Sequence, residues 1–149
     1  MFPLRVAETV SAESFDPPLF AALCSANLMQ AVQRLAKYKQ LVAPMSLEVH
    51  VGKMGEMTVS PRWLSVQTDA PYSLQVAEIA FFLRLARLAT REPVKALRVA
   101  LPELPPNAYA RRYETFFGTP VQHGASPSIT FAAADALRPF LTRLDRADA

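Results

Sequence analysis

The sequence predicts an α+β domain in which a mixed or antiparallel sheet carries helices. Two observations lead there. Apolar residues recur at helical spacing in some stretches and alternate strictly in others, and the two kinds of stretch interleave along the chain. Thirteen prolines against four glycines also divide the chain into short elements, because proline lacks an N–H and disfavours helix in the residue before it. No stretch between them reads as an interdomain linker and there is no internal repeat. Residues 1–149 are therefore expected to form a single domain.

The elements follow in order. Residues 1–17 are ambiguous, with a short helix possible over Leu4–Val10, and Pro18 can open a short helix running to Ser25. Asn27 reads as an N-cap, with Gln30 three positions on completing a capping-box pattern. Behind it Leu28, Ala31, Val32, Leu35, Tyr38 and Leu41 or Val42 share one helix face, closed before Pro44. The period then changes to two: Leu47, Val49 and Val51 alternate with Glu48, His50 and Gly52. Residues 52–55 form a turn, and Met57 and Val59 begin a return strand. Pro61 makes the continuation through Trp63, Leu64 and Val66 an edge segment or a bulge. Ser73 can cap a helix reaching about Thr90, so apolar all round that it must be covered on most sides; it is the best dimerisation candidate in the chain. Ala96–Leu101 alternates like a strand. Asn107 is placed as the cap of a helix carrying Tyr109, Tyr113, Phe116 and Phe117, which stops at Gly118. Short strands follow at Val121–His123 and Ser128–Phe131, then a closing helix or loop over residues 133–144.

Composition narrows the function. Hydrophobic residues make up 51% and charged residues 19%, which points to a face buried by a partner subunit or a further domain. No apolar run is long enough to span a bilayer, and the N-terminus lacks the apolar stretch of a secretory signal. A lone cysteine, Cys24, fits a reducing compartment, so the expected location is the cytoplasm. The net charge of +3 is scattered, so electrostatics do not demand a nucleic-acid partner.

Catalytic chemistry finds no footing. Two histidines and one cysteine cannot build a zinc site without carboxylates, no glycine-rich phosphate loop is present, and no nucleophile–base pair can be assembled. The expectation is a non-enzyme with no cofactor and no metal. His50 and His123 read as exposed surface residues and Cys24 as a buried thiol. Arg84, Arg87 and Arg91 share one helix face. The plain reading is a solvated stripe; the functional one is an edge that recognises a carboxylate or phosphate. A ligand site, if present, is expected between the Ser46–Val59 hairpin and the helices packed on it. Tyr38 and Trp63 would be its walls and Arg84 its charged contact.

The stretch Tyr113–Ala125, with Phe-Phe-Gly followed by Pro-Val and a Gly-Ala turn, resembles the N-terminal effector domain of AraC/XylS-type transcription regulators, in the arabinose-binding subgroup. The residues from Phe82 to Thr90, Pro93 to Val99 and Leu28 to Leu41 resemble that family's long helix, its next strand and an earlier helix. The signature's own work is structural: aromatics anchor a helix end, glycine turns the chain, and proline-valine starts a strand. The resemblance implies a sensor and dimerisation module that takes a small-molecule effector and reaches DNA only through helix-turn-helix units absent from these residues. Family members continue into two such units and begin with a further helical segment, so the chain reads as a fragment of a longer regulator. A stand-alone small-molecule-binding or interaction domain is the alternative. Glycine is usual in the family where Arg91 stands, so the turn before Pro93 is where a difference is expected.

Overall fold

A row of β-branched side chains runs across the whole sheet and organises the fold. In the computed structural model, which describes residues 21–42, 45–63 and 71–141, Val49 pairs with Val59, Val59 with Ile129, Ile129 with Val99 and Val99 with Val121. These residues come from β1 (Met45–Val51), β2 (Met57–Trp63), β5 (Ser128–Phe131), β3 (Arg98–Leu101) and β4 (Val121–His123), in the spatial order β1-β2-β5-β3-β4. The first three pairings are antiparallel and β3–β4 is parallel, so the sheet is mixed. Because strand side chains alternate, the next row belongs to the other face. There His50, Thr58, Thr130 and Arg98 stand in register, with a 2.8 Å hydrogen bond between the Thr58 and Thr130 hydroxyls. Glu48 and Arg62 form an ion pair on the same face. One face is apolar and one is polar, as expected of a sheet with helices on one side.

The helices are α1 (Leu28–Val42), α2 (Tyr72–Thr90), α3 (Asn107–Phe117) and the short α4 (Ala133–Leu137). α1 lies over β1 and α2 over β2, while α3 joins the parallel strands β3 and β4. The Asn27 cap holds: its Oδ1 accepts from Gln30 N at 2.9 Å, while Gln30 Oε1 accepts from Ala26 N at 2.7 Å. The reciprocal bond thus reaches one residue further back than the usual capping box. Leu28, Ala31, Val32 and Leu35 are buried as the periodicity required. Beyond Leu35 the helix rises out of the core, leaving Tyr38 39% and Leu41 83% exposed. α2 is the most internal helix, with Val76, Ile79, Ala80, Phe82, Leu83, Leu85, Ala86 and Ala89 buried against the chain's own sheet and helices.

Several sequence expectations need correction. Ser73 and Asn107 cap nothing: α2 and α3 begin one residue after Pro71 and Pro106 without a side-chain cap, and the proline carbonyls accept the first-turn N–H groups. Proline at this position pre-sets φ and gives up no needed donor, so these helices start without a side-chain acceptor. Of the two alternatives at Pro61 the edge segment holds: β2 continues in register to Trp63, because β5 pairs only with Met57–Val59 and leaves Pro61 with β1 as its neighbour. Tyr109 is exposed although its partners Tyr113 and Phe117 are core. Cys24 is half-buried instead of buried. His50 and His123 are exposed as expected. The Leu4–Val10 helix, the first part of the Pro18–Ser25 helix, and Leu64 and Val66 lie outside the described residues.

Candidate functional site

The ends of α2 and α3 come together around the segment between Thr90 and Arg98. α2 stops where Arg91 takes a left-handed conformation, φ 60°, with its N–H on Arg87 O. α3 stops in the same way at Gly118, φ 81°, with its N–H on Glu114 O. Thr90 Oγ1 donates to Ala86 O at 2.7 Å and accepts from Glu92 N at 3.2 Å, which turns the chain toward Pro93. Ala96 N then reaches Phe117 O at 2.8 Å, so the approach to β3 is fastened to the last carbonyl of α3. A difference was expected at Arg91, yet the turn is an ordinary left-handed helix ending. The difference lies in the strain of a side chain at positive φ.

Arg87 binds these ends together. Its Nε donates to Val94 O at 2.9 Å and its Nη2 to Phe116 O at 2.6 Å, with the guanidinium 5.2 Å from the centre of the Phe116 ring. Burial, and then the neighbouring Arg84, push its pKa below the ordinary arginine value. It is therefore not part of a solvated stripe, as the spacing alone had favoured. The helix face carries Arg84 and Arg87 half-buried and Arg91 exposed.

An open cleft of about 670 Å³ lies beside it, lined by Arg87, Arg91, Glu92, Pro93, Lys95, Thr115 and Gly118. Lys95 lies across Gly118 so closely that a Cβ there would stand 2.6 Å from Lys95 Cγ. Glu92 pairs with none of the three cations; the ion pairs among the described residues join Lys39 with Glu78, Glu48 with Arg62 and Asp135 with Arg138. The cleft offers charge and hydrogen-bond donors but brings no histidine or cysteine to its lining. Among the described residues no three His, Cys, Asp or Glu side chains converge to hold a metal. Three of the residues that line the cleft, Arg87, Arg91 and Lys95, are cationic and one, Glu92, is acidic.

The residues singled out in the sequence stand elsewhere. Tyr38 is on the exposed end of α1, and Trp63 is the last residue of β2, in register with Met45 and packed on the core. Arg84 is on α2 beside Arg87. No ring contact joins Tyr38 to Trp63, and none of the three lines the cleft. The cleft's cations were visible in the sequence as Arg87, Arg91 and Lys95, four residues apart, but Pro93 interrupts the series and removes it from any single-helix count.

Together these features define a class: an α+β domain whose mixed sheet, among the described residues, carries helices on its apolar face, with a cleft lined by three cations at the joined helix ends. The family model described as the arabinose-binding domain of AraC transcription regulators, N-terminal, matches residues 1–140, and the chain belongs to that family. Its fold is shared with the crystal structure of the transcriptional regulator CdpR from Pseudomonas aeruginosa, at a TM-score of 0.60 and 19% sequence identity. That likeness covers 94% of this chain and 47% of CdpR, so the chain spans about half the length of that regulator. No curated protein matches the sequence. Among the described residues no helix is long and apolar enough to cross a membrane.

Proposed function

We propose that the chain is the effector-sensing and dimerisation domain of an AraC-type bacterial transcription regulator acting in the cytoplasm. A small molecule would shift it between states, and DNA would be read by helix-turn-helix units outside these residues. The observation that carries the reading is the family match over residues 1–140. The shared fold with a transcriptional regulator over 94% of this chain is consistent with that reading.

A thermal-shift screen over metabolites tests sensing, because a ligand that binds only the folded state must raise its melting temperature. A reproducible, saturable rise is expected; a null result across amino acids, sugars, aromatic acids and nucleotides would count against an effector domain. We place the effector between the β1–β2 hairpin and its helices, with Tyr38 and Trp63 as walls and Arg84 as the charged contact. Once an effector is found, Arg84→Ala should weaken its binding and leave the melting temperature of the empty domain nearly unchanged. Unchanged affinity would remove Arg84 from the site.

A further inference from the structure

The geometry points to a carboxylate-binding subsite in the cleft at the joined ends of α2 and α3, formed by Arg87, Arg91 and Lys95. It goes beyond the effector site placed above, which is formed by other residues, and its chemistry stands on the cleft alone.

Three observations converge. Arg87 is half-buried and cationic, yet both hydrogen bonds it makes go to neutral carbonyls, of Val94 and Phe116. A guanidinium has five N–H donors in a rigid fork, so the group lining the cleft keeps donors for an incoming anion. A partly desolvated cation gains more from a counter-ion than a fully solvated one does. Arg91 places a second cation at the rim in a backbone conformation that any side chain holds only under strain. Lys95 supplies the third, its stem laid over Gly118, where a side chain would displace it. The absence of a Cβ at Gly118 thus serves both the helix end and the seat of the lysine.

The charge selects the ligand class. Three cations face one carboxylate, Glu92. Each helix C-terminus adds about half a negative charge within its last turn. The field left over is that of about one positive charge, which suits a monoanion better than a dianionic phosphate. The planar fork of Arg87 matches a carboxylate in two-point contact. Pro93 and Thr115, which also line the cleft, bound the space for the remainder of the ligand.

The test is a titration of the 149-residue chain followed by backbone amide shifts, with butyrate, butyramide and inorganic phosphate as probes at fixed ionic strength. Butyrate should shift residues 87–95 and 115–118 saturably, and butyramide should not. An Arg91→Gly/Lys95→Ala double variant should bind butyrate about fivefold more weakly, since exposed charge contacts are individually modest, with an undiminished melting temperature. Equal shifts with butyramide, tighter binding of phosphate, or undiminished butyrate affinity in the double variant would overturn the proposal. The two readings fail separately. Undiminished butyrate affinity in the double variant, with a metabolite still stabilising both proteins, removes the subsite and leaves sensing intact. Butyrate binding with no stabilising metabolite removes sensing and leaves the subsite.

Discussion

Arg91 shows how much a single backbone angle can weigh. At φ 60° its Cβ is crowded against the following carbonyl, a cost of about 1–2 kcal/mol for an L-residue. Glycine removes that cost but adds freedom to the unfolded chain worth about 0.4–1 kcal/mol. Strain wins narrowly, and Arg91→Gly should stabilise the domain by about 0.5 kcal/mol, read as a higher denaturation midpoint at unchanged m-value. A lower midpoint would mean that the arginine side chain makes a contact the strain argument omits. Tyr72 poses the opposite question. Its hydroxyl is buried without a hydrogen-bond partner; the Tyr113 phenol is near, but not at bonding geometry. Burial first, then Tyr113 and Glu103, raise the Tyr72 pKa, and burial raises that of Tyr113. Both phenols stay protonated in the folded chain while the unfolded chain begins to ionise near the ordinary value of 10.0. Their folded pKa values are raised, so their contribution is intact below that pH and is lost as pH rises above it. Tyr72→Phe should therefore weaken alkaline unfolding. At neutral pH it should add about 1 kcal/mol, because it removes an unsatisfied buried hydroxyl. A loss of stability at pH 7 would show that the hydroxyl has a partner after all.

At the scale of elements, α2 concentrates the energetics. Phe82 is fully buried, with Phe81 edge-on to it at 5.5 Å. Phe82→Ala should cost about 3–5 kcal/mol, a large part of the stability of a domain held by about 5–15 kcal/mol. A loss under about 1 kcal/mol would mean that the site collapses around the smaller side chain. The apolar character of this helix was plain in the sequence, and so was the need to cover it. The sequence alone did not tell whether a partner or the chain itself supplies the cover. Much of that cover is the chain's own sheet and helices, so apolar character is no longer by itself an argument for a subunit interface. Similarly, Ser73 and Asn107 carried the cap signal in sequence, but Pro71 and Pro106 start the helices. The composition rule favours polar caps, while the fixed φ of proline is satisfied two residues earlier at Pro71 and one earlier at Pro106.

For the whole molecule, dimerisation is the prediction that reaches furthest. Sedimentation at micromolar concentration should show a dimer of the 149-residue chain in equilibrium with monomer. A monomer at all concentrations would confine dimer formation, if the parent regulator dimerises, to residues outside this chain. The exposed apolar residues Leu74, Leu104 and Tyr109 are places where substitution by charged residues would locate the contact.

The sequence by itself determined the class of fold and the order of its elements. Period and proline punctuation are local properties, and each strand and helix between Leu28 and Phe131 was legible from its own residues, while residues 133–144 stayed open between helix and loop. It also determined the family, through the ordered series ending in Phe116-Phe117-Gly118. Only the tertiary structure decided how the strands pair, that the row from Val49 to Val121 is continuous, and that β4 runs parallel to β3. It alone brought the ends of α2 and α3 together around Arg87. The spacing of Arg84, Arg87 and Arg91 suggested a solvated stripe because periodicity registers neighbours along a helix and not carbonyls arriving from elsewhere. The partners of Arg87 are Val94 O and Phe116 O, the second 29 residues away in sequence. A backbone carbonyl has no residue type for a sequence to display, so contacts of that kind emerge only when the chain folds.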